Sequence, residues 1–403
     1  MKIVQINSTY GTGSTGKICR DISNMLTDRD VENYALYTIG YSNAPNAIKC
    51  SDKTYIKLQS LKSRVFGNYG FNSLRSNKKI ISELDRIKPD IVHLHNIHSH
   101  DCNLQMLFDY FKSSRQKLIW TFHDCWAFTG YCPYFHMARC VKWENECNNC
   151  PLFRNYSFFA DRSKMLFQKK RELFHDLDLT IVTPSKWLAG LVKKSFLKNY
   201  HVRVINNGID LDVFKPTKND FRSKYNIRSD KHIILGVAFD WGERKGLDVF
   251  VQLAKRLNSD KFQIVLVGTN DKIDKVLPQN IISVHRTQNQ RELAGIYSEA
   301  DLFVNPTRED NYPTVNMEAI ACGTPVLSFN TGGSPEIIDE TCGSIVEVDD
   351  IDTLEDEIIR ICESKLCFDE TYMEHARKFD KNKLFTEYIN TYFEVENEDC
   401  IFI

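Results

Sequence analysis

The chain alternates short apolar runs with amphipathic segments of helical period, and it does so in two successive series. The apolar runs of the first half are KIVQIN, NYALYTI, DIVHLHN, KLIWTFH and LTIVTPS, and those of the second half are KHIILGVA, FQIVLVG, IISVHR, DLFVNP and TPVLSF. Buried strands that alternate with helices form parallel sheets covered on both faces. The sequence therefore predicts an α/β fold of two doubly wound, Rossmann-like domains.

The segment VINNGIDLDVFKPT separates the two series, lacks a hydrophobic period and carries Asn-Gly and Lys-Pro turn signals. A length of 403 residues also exceeds what one hydrophobic core usually supports. We predict an N-terminal domain at residues 1–205, with a Cys-rich insertion at about 125–151, and a C-terminal domain at residues 206–375. Residues 376–403 are predicted to form a helical tail that packs back on the N-terminal domain.

Charge is unevenly distributed between the two halves. Residues 1–205 hold 30 Lys and Arg against 17 Asp and Glu, a balance of +13, whereas the remainder holds 22 against 36, a balance of −14. A basic half favours nucleic acid, a phosphorylated substrate or an anionic membrane as its neighbour, and an unevenly charged solvated surface is the alternative. The basic segments YIKLQSLKSRVFGNYGFNSLRSNKK and RSKMLFQKKRELF can rest on an anionic membrane, and a solvated helix face is the alternative for each.

The expected compartment is the cytoplasm, at the inner face of the cell membrane if the basic half contacts lipid. The sequence contains no apolar run of 18 residues, and MKIVQINSTYG indicates a strand and a turn rather than a signal peptide. Thirteen cysteines in such a chain indicate reduced thiols or metal ligands rather than disulfides.

The opening loop YGTGSTGKI fits two phosphate-binding patterns incompletely. Gly11, Gly16 and Lys17 match a Walker A loop, but Ile18 stands where a Ser or Thr must hold Mg²⁺. Gly11, Gly13 and Gly16 match the dinucleotide fingerprint, but the second strand ends without the acid that binds a ribose. What remains is a glycine turn that brings backbone amides to a phosphate at a helix N-terminus, with a plain tight turn as the alternative.

The run VNPTREDNYPTVNMEAIACGTPV predicts a strand, a polar turn and a helix. Pro313 suits the first helical position, and Gly323 suits the helix end. The backbone amides of Thr314 and Val315 would then point out of the helix N-terminus, where they can donate to a phosphate oxygen.

Acidic side chains flank this predicted helix N-terminus. Asp310 lies just before it, and Glu318, on the second turn, is placed to bind the hydroxyls of a ribose or sugar. The next strand runs into NTGGSPEII, which predicts a second helix N-terminus beside the first. Such junctions at neighbouring strand ends form a site for an anionic ligand at the carboxyl edge of the sheet.

The run EDNYPTVNMEAIACGTPV resembles the E-x7-E region of retaining glycosyltransferases of family 4, and Asp310 and Glu318 stand at its two acidic positions. Five further segments are similar to that family and follow its order: YGTGSTGK, PDIVHLHN, TFHDCWAFTGYC, NNGIDLDVFKP and WGERKGLD. The resemblance covers nearly the whole chain. It implies the GT-B fold, in which two Rossmann-like domains face each other across a cleft.

The resemblance also implies roles for individual residues. Glu318 would bind the ribose hydroxyls of the nucleotide, and Asp310 and His123 would lie beside the donor sugar. The other implied substrate contacts lie in the Gly-rich loop, at the diphosphate, near the base and around the helix start: Gly13, Arg244, Lys245, Arg286, Thr287, Glu309, Tyr312, Thr314 and Val315.

This chain departs from the family pattern at two places. The first acid of the motif is Asp310, which is shorter than the usual Glu, and Glu309 beside it is a candidate to compensate. Where the family often carries an Arg before the motif lysine, this chain has Phe239 and Asp240. Diphosphate binding would therefore depend more on Lys245, Arg244 and backbone amides.

The resemblance implies a retaining sugar transfer that needs no metal ion or other cofactor for its chemistry. The donor would be a nucleoside-diphosphate sugar, with a UDP-sugar favoured because it is the commonest donor type in the family. The acceptor would be a glycan or a lipid-diphosphate-linked glycan in capsule or other surface polysaccharide biosynthesis. Under this interpretation nucleic acid is not a partner.

Four cysteines within CPYFHMARCVKWENECNNCP form a second constellation: Cys132, Cys140, Cys147 and Cys150. The CNNC pair has metal-ligand spacing, and four thiolates suit a structural Zn²⁺. Cys125 and His136 are possible substitutes, and free thiols are the alternative. Because this segment is polar and short of aliphatic residues, we expect it to need such a staple.

Two alternative functions remain open at this point. A zinc-stabilised nucleic-acid-binding protein would use the Cys cluster and the basic half, although the chain shows no reading helix or aromatic strand platform. A GT-B nucleotide-sugar epimerase would use the same donor site without transfer.

Overall fold

The computed structural model describes residues 1–98, 100–364 and 370–397 of the chain. Its first sheet has seven parallel strands in the order β3-β2-β1-β4-β5-β6-β7. The strands are β1 (Lys2–Thr9), β2 (Glu32–Ile39), β3 (Ala47–Lys49), β4 (Ile91–Leu94), β5 (Lys117–Thr121), β6 (Leu179–Thr183) and β7 (His201–Val204). The accompanying helices are α1 (Gly13–Thr27), α2 (Lys53–Phe66), α3 (Leu74–Ile87), α4 (Leu104–Ser114), α5 (Ser163–Leu173) and α6 (Lys186–Lys194).

The second sheet has six parallel strands in the order β10-β9-β8-β11-β12-β13. The strands are β8 (His232–Val237), β9 (Phe262–Val267), β10 (Ile281–Val284), β11 (Leu302–Asn305), β12 (Val326–Phe329) and β13 (Gly343–Val346). The helices of this region are α7 (Phe221–Lys224), α8 (Leu247–Arg256), α9 (Asp271–Asp274), α10 (Gln290–Glu299), α11 (Thr314–Ala321), α12 (Ile351–Ser364), α13 (Glu370–Arg377) and α14 (Lys381–Asn397).

Both faces of the second sheet are buried, which explains why its strands read as continuous apolar runs. Ile233 and Leu235 point into one hydrophobic cluster, and Ile234 between them points into another. Side chains alternate between the two faces of a strand, so a strand covered on both sides is apolar at every position. The predicted α/β fold with two Rossmann-like sheets is confirmed.

The chain forms two compact units, Met1–Asn206 together with the chain from Phe385 onward, and Asn207–Leu384. The predicted tail began at residue 376, but residues 376–384 group with the second unit. The reason is a local exchange of hydrogen bonds: Ile209 N–H donates to the Phe379 carbonyl at 2.8 Å, and Lys381 N–H donates to the Ile209 carbonyl at 3.0 Å. The Lys381 ammonium also pairs with Asp210 at 2.9 Å. Residues 398–403 of the predicted tail lie outside the described residues.

The predicted Cys-rich insertion contains only two short 3₁₀ turns, Trp126–Phe128 and Lys142–Glu144, and a third follows it at Phe153–Asn155. It nevertheless has an aromatic core, because the buried Trp143 ring lies 5.2 Å from that of Phe128 and 4.9 Å from that of Phe135. Aromatic side chains therefore supply core packing in this segment, which a count of its aliphatic residues does not reveal.

No described helix combines the length and the apolar character that crossing a bilayer requires.

Candidate functional site

Three loops of the second unit meet at the carboxyl edge of its sheet, after the neighbouring strands β8, β11 and β12. Two glycines with positive φ allow the contact. A Cβ on Gly246 would lie 2.4 Å from the Pro306 carbonyl oxygen, and one on Gly332 would lie 1.8 Å from the Asp310 carbonyl oxygen. Only glycine tolerates both the backbone angle and the close approach. The glycines of ERKG and NTGG therefore pack the β8 and β12 loops against the β11 loop.

Lys245 and Asp310 form an ion pair where these loops meet. The Lys245 Nζ lies 2.5 Å from Asp310 Oδ2, and each side chain is 18% exposed. Asp310 Oδ1 accepts a second hydrogen bond from the Asn311 N–H at 2.8 Å. Arg244 reaches the same loop differently, because its guanidinium donates to the Glu309 carbonyl at 3.0 Å. The Lys245–Asp310 pair is thus partly exposed, so a ligand can reach it.

The helix α11 begins at Thr314, with Pro313 as its N-cap and no side-chain cap on its first amides. The first N–H groups of a helix need partners from outside it and favour negative charge. Thr314 and Val315 are both half-buried rather than sealed in the core. The predicted second helix N-terminus is wrong: NTGGSPEII forms a single 3₁₀ turn, Ser334–Glu336, before the chain runs on toward β13.

Glu318 is half-buried one turn along α11 and accepts a hydrogen bond from the Tyr297 hydroxyl at 3.2 Å. Burial, and then the charge of Glu318, raises the pKa of Tyr297 well above its ordinary value. Tyr297 therefore remains a proton donor and fixes the carboxylate. No sequence motif links this positioning residue to Glu318, because Tyr297 belongs to α10, a separate element.

The remaining predicted contacts of the second unit are more scattered. Arg286 is exposed and Thr287 half-buried after β10, which lies at the edge of the sheet, two strands from β8. Tyr312 is buried, and its ring belongs to a hydrophobic core cluster. Glu309, the candidate to compensate for the short Asp310 side chain, is also buried.

In the first unit, Gly13 begins α1 and faces open space. Gly11 and Gly13 both have positive φ, and the Gly11 N–H donates to the Gly16 carbonyl at 2.7 Å to close the turn. A Cβ at Gly13 would have no protein neighbour within 4 Å, and the N-cap residue Thr12 makes no side-chain cap. The amide end of α1 is therefore accessible, as a phosphate contact requires.

A chain of hydrogen bonds fixes the proton positions of His95 and His123. Gln5 Nε2 donates to the Cys19 carbonyl at 3.0 Å, which turns Gln5 Oε1 toward His95 Nε2, also at 3.0 Å. An amide oxygen only accepts, so His95 Nε2 carries the proton and His95 Nδ1 accepts. His123 Nε2, 3.2 Å from that nitrogen, is then the donor. In neutral His123 the lone pair consequently lies on Nδ1.

The imidazoles of His93, His95 and His123 are uncharged near neutral pH. Burial lowers the pKa of His123 to about 4, although the charge of Asp124 opposes the shift. Burial lowers the pKa of His93 to about 3 and that of His95 well below its ordinary value. His93 and His95 share one face as their spacing predicts, with ring centroids 4.0 Å apart.

Asp124 and His98 form a charged pair next to His123 that the sequence analysis did not identify. His98 Nε2 donates to Asp124 Oδ2 at 2.8 Å, and the Trp126 N–H donates to Asp124 Oδ1 at 2.9 Å. Burial alone would raise the pKa of Asp124 and lower that of His98. The ion pair outweighs burial in both, so the pKa of Asp124 is lowered and that of His98 is raised. The sequence does place Asp124 directly after His123, and this adjacency was the feature from which a nearby carboxylate could have been predicted.

The four predicted zinc ligands lie in one region without forming a closed set. Cys132 and Cys147 are buried, and Cys140 and Cys150 are half-buried. The Gly130 N–H donates to Cys147 Sγ at 3.3 Å, and burial raises the pKa of that thiol to about 12. Within residues 1–98, 100–364 and 370–397, no three of these sulfurs approach one another within 4.8 Å, and no such group includes Cys125 or His136.

Comparison with known proteins supports one family along most of the chain. The model described as Glycosyltransferase Family 4 matches residues 16–213, and the model described as Glycosyl transferases group 1 matches residues 231–364. A putative colanic acid biosynthesis glycosyl transferase, WcaC of Escherichia coli (strain K12), is 22% identical over 97% of this chain and 99% of its own length.

Solved structures show the same architecture. Sucrose-phosphate synthase from Thermosynechococcus elongatus superposes with a TM-score of 0.70 at 17% identity, over 98% of each chain. HepE of Anabaena in complex with UDP-glucose superposes with a TM-score of 0.68 at 14% identity, over 98% of this chain and 100% of its own. The chain belongs to glycosyltransferase family 4 and has the GT-B fold.

Proposed function

We propose that this protein transfers a sugar from a nucleoside-diphosphate sugar to a glycan or lipid-linked glycan acceptor in surface polysaccharide biosynthesis. The observation that carries the proposal is the Lys245–Asp310 pair beside the uncapped N-terminus of α11. A diphosphate leaving group develops negative charge as its bond to the sugar breaks, and an ammonium with oriented amides stabilises that charge. The similarity to WcaC, a putative colanic acid enzyme, supports the biosynthetic setting.

In this proposal the ion pair exchanges partners when donor binds. Lys245 turns from Asp310 to the diphosphate, and Asp310 is left to accept hydrogen bonds from sugar hydroxyls. Glu318, held by Tyr297, binds the ribose hydroxyls. Each carboxylate thus binds hydroxyl groups, while the positive charge and the amides bind phosphate.

We propose that the transfer retains the anomeric configuration and needs no metal ion. The bond from the anomeric carbon to the diphosphate oxygen breaks, and the bond to the acceptor oxygen forms on the same face. The acceptor proton passes to the departing phosphate oxygen, so the products are the glycoside and the nucleoside diphosphate. Proton NMR of the product would report the anomeric configuration, and an inverted product would contradict this mechanism.

His123 contributes a neutral acceptor nitrogen in this scheme. Its Nδ1 lone pair can accept a hydrogen bond from a hydroxyl of the transferred sugar, whereas an imidazolium could not. A neutral ring also avoids placing a second positive charge beside the developing oxocarbenium character of the sugar.

A UDP-sugar is the proposed donor. The solved structure of HepE was determined with UDP-glucose, which supports this choice by similarity of fold only. A thermal-shift panel of UDP-, GDP- and ADP-sugars tests it, because a ligand that binds only the folded state raises the melting temperature. Stabilisation by a GDP-sugar alone would replace the donor and keep the enzyme class, and stabilisation by no nucleotide would contradict the proposed function.

A further inference from the structure

The helix α2 buries polar side chains and exposes apolar ones, which is the reverse of a normal surface helix. It buries the polar residues Gln59 and Ser63, and it leaves Leu58, Leu61 and Phe66 about half exposed or more, at 49%, 55% and 57%. A surface helix of a globular protein normally buries its apolar stripe. The Ser63 hydroxyl is buried with no hydrogen-bond partner in the described part of the chain. The orientation of α2 therefore exposes apolar side chains to solvent while it buries a hydroxyl group that lacks a hydrogen bond.

Contacts at both ends hold α2 in this orientation. Asp52 caps its N-terminus by accepting a hydrogen bond from the Tyr55 N–H at 2.8 Å, and the Tyr55 hydroxyl accepts from the Arg75 N–H at 3.1 Å. At the other end, Gly67 terminates the helix in the left-handed conformation, and the Phe158 N–H donates to the Arg64 carbonyl at 2.8 Å. The exposed leucines are thus a fixed feature of the surface.

The Phe158 contact adds two more apolar side chains beside the helix. Phe158 is 45% exposed and Phe159 is 76% exposed, and the Arg64 guanidinium lies 5.7 Å from the centre of the Phe158 ring. We use the term α2 surface for Lys57, Leu58, Leu61, Lys62, Phe66, Phe158 and Phe159.

The charge of α2 has one sign. Its sequence, KTYIKLQSLKSRVF, contains three lysines and one arginine and no acidic residue. On a helical wheel the exposed Lys57 and Lys62 flank the stripe that holds Leu58 and Leu61. Apolar residues bordered by basic ones match the interface of an anionic bilayer, where acyl chains lie beneath negatively charged headgroups.

The comparison with α5 shows that basic charge alone does not produce this surface. RSKMLFQKKRELF was predicted to rest on a membrane, but α5 buries its apolar residues Leu166, Phe167 and Leu173. Even Lys170 is buried, where its ammonium donates to the carbonyls of Trp126 and Thr129 at 2.7 and 3.0 Å. The α5 helix therefore offers no apolar stripe to a bilayer, because the helical period of that segment serves the core.

We propose that the α2 surface seats the first unit on an anionic lipid bilayer. A second copy of this chain is a poorer occupant, because an isologous contact would bring the lysines of two α2 helices together. The inference rests on the proposed function in that a lipid-linked acceptor would be presented at such a surface. Its test needs no nucleotide, so its failure would be distinguishable from failure of the donor thermal shift.

Vesicle cosedimentation of the full chain tests the proposal. We expect the protein to sediment with vesicles of phosphatidylcholine and phosphatidylglycerol and to remain in solution with phosphatidylcholine alone. The double variant Leu58→Gln/Leu61→Gln should reduce the bound fraction roughly tenfold or more, and Lys57→Glu/Lys62→Glu should do the same at low salt. Both variants should keep the melting temperature, because all four side chains are exposed.

Matched controls in the second unit are Val276→Gln, at a position 61% exposed, and Lys275→Glu, also exposed. Each should bind vesicles like the parent. Unchanged binding in Leu58→Gln/Leu61→Gln, or equal binding to phosphatidylcholine alone, would overturn the proposal. Sedimentation of the parent as a dimer that this variant converts to a monomer would assign the surface to a second copy instead.

Discussion

The candidate residues of the two units differ in how they hold charge. In the second unit, Lys245 and Asp310 are opposite charges in direct contact, each partly exposed. In the first unit, His95 and His123 are neutral rings linked by single protons and positioned by Gln5. Burial accounts for the neutral rings, since it disfavours the charged form of an imidazole, whereas Lys245 and Asp310 lie in direct contact and remain partly exposed to solvent. A charged group suits the diphosphate of a donor, and a neutral one suits sugar hydroxyls.

The largest expected effect belongs to the charged group. Lys245→Ala and Glu318→Gln should each reduce transfer by about a thousandfold or more, because they remove stabilisation of the leaving group or of the bound nucleotide. The melting temperature should change little, since neither side chain is part of the core. Lys255→Ala, which removes an exposed lysine of α8, is the matched control and should leave turnover unchanged. Normal turnover in either site variant would refute the assigned site.

His123→Ala tests the neutral group and should act on a different quantity. We expect the transfer rate to fall by about a hundredfold while affinity for the nucleoside diphosphate stays the same, because the ring contacts the sugar in our proposal. Calorimetric titration with UDP beside steady-state rates separates the two. A loss of nucleotide affinity with an unaltered rate would make His123 a nucleotide contact.

Gln5→Met should produce a smaller loss, of about tenfold, because it removes the acceptor that fixes the His95 proton on Nε2. Nitrogen NMR of labelled histidine should then show mixed tautomers at His95 and His123. A merely structural role for Gln5 would lower the melting temperature without altering those tautomers.

The dependence of the transfer rate on pH tests the neutral state of His123 without mutation. Because the pKa of His123 is lowered to about 4, the rate should show no titration near pH 6.5 and should fall only as the pH approaches 4. As the pH is lowered, the free energy of unfolding should begin to fall before the rate does. The unfolded chain binds protons below about pH 6.5, whereas folded His93 and His123, with pKa values of about 3 and 4, do not. A rate that halves near pH 6.5 would show that His123 is solvated.

The smallest effect on turnover is expected from chelation of free divalent metal ions. We propose one structural Zn²⁺ per chain at Cys132, Cys140, Cys147 and Cys150, supported by the CNNC spacing and by their common location. Elemental analysis should find it, and brief EDTA treatment that leaves it bound should not change the rate. Cys147→Ser should lower the melting temperature, and a folded, active, metal-free protein would remove the zinc proposal.

The sequence predicted the central strands of both sheets and missed β3, β7 and β13, which are all edge strands. Edge strands are short and only partly buried, so they lack the continuous apolar run that identifies the others. The charged candidates Lys245, Asp310 and Glu318 could be predicted from the sequence because each lies close to a turn or a helix start. The hydrogen bonds that join Gln5, His95 and His123 could not be predicted. Gln5 lies on β1, His95 follows β4 and His123 follows β5, so the three become neighbours only through the parallel register of those strands.

The split membership of α14 has a consequence for synthesis on the ribosome. His93 Nδ1, on β4, forms a hydrogen bond of 2.6 Å with the Tyr392 hydroxyl, 299 residues further along the sequence. Tyr388 and Tyr392 are both buried, and the ammonium of Lys117 donates to the carbonyl of Val395 at 3.0 Å. A nascent chain therefore emerges with all strands of the first sheet but without the helix that contacts His93 and Lys117. The unit that is translated first can finish folding only after the last helix has left the exit tunnel.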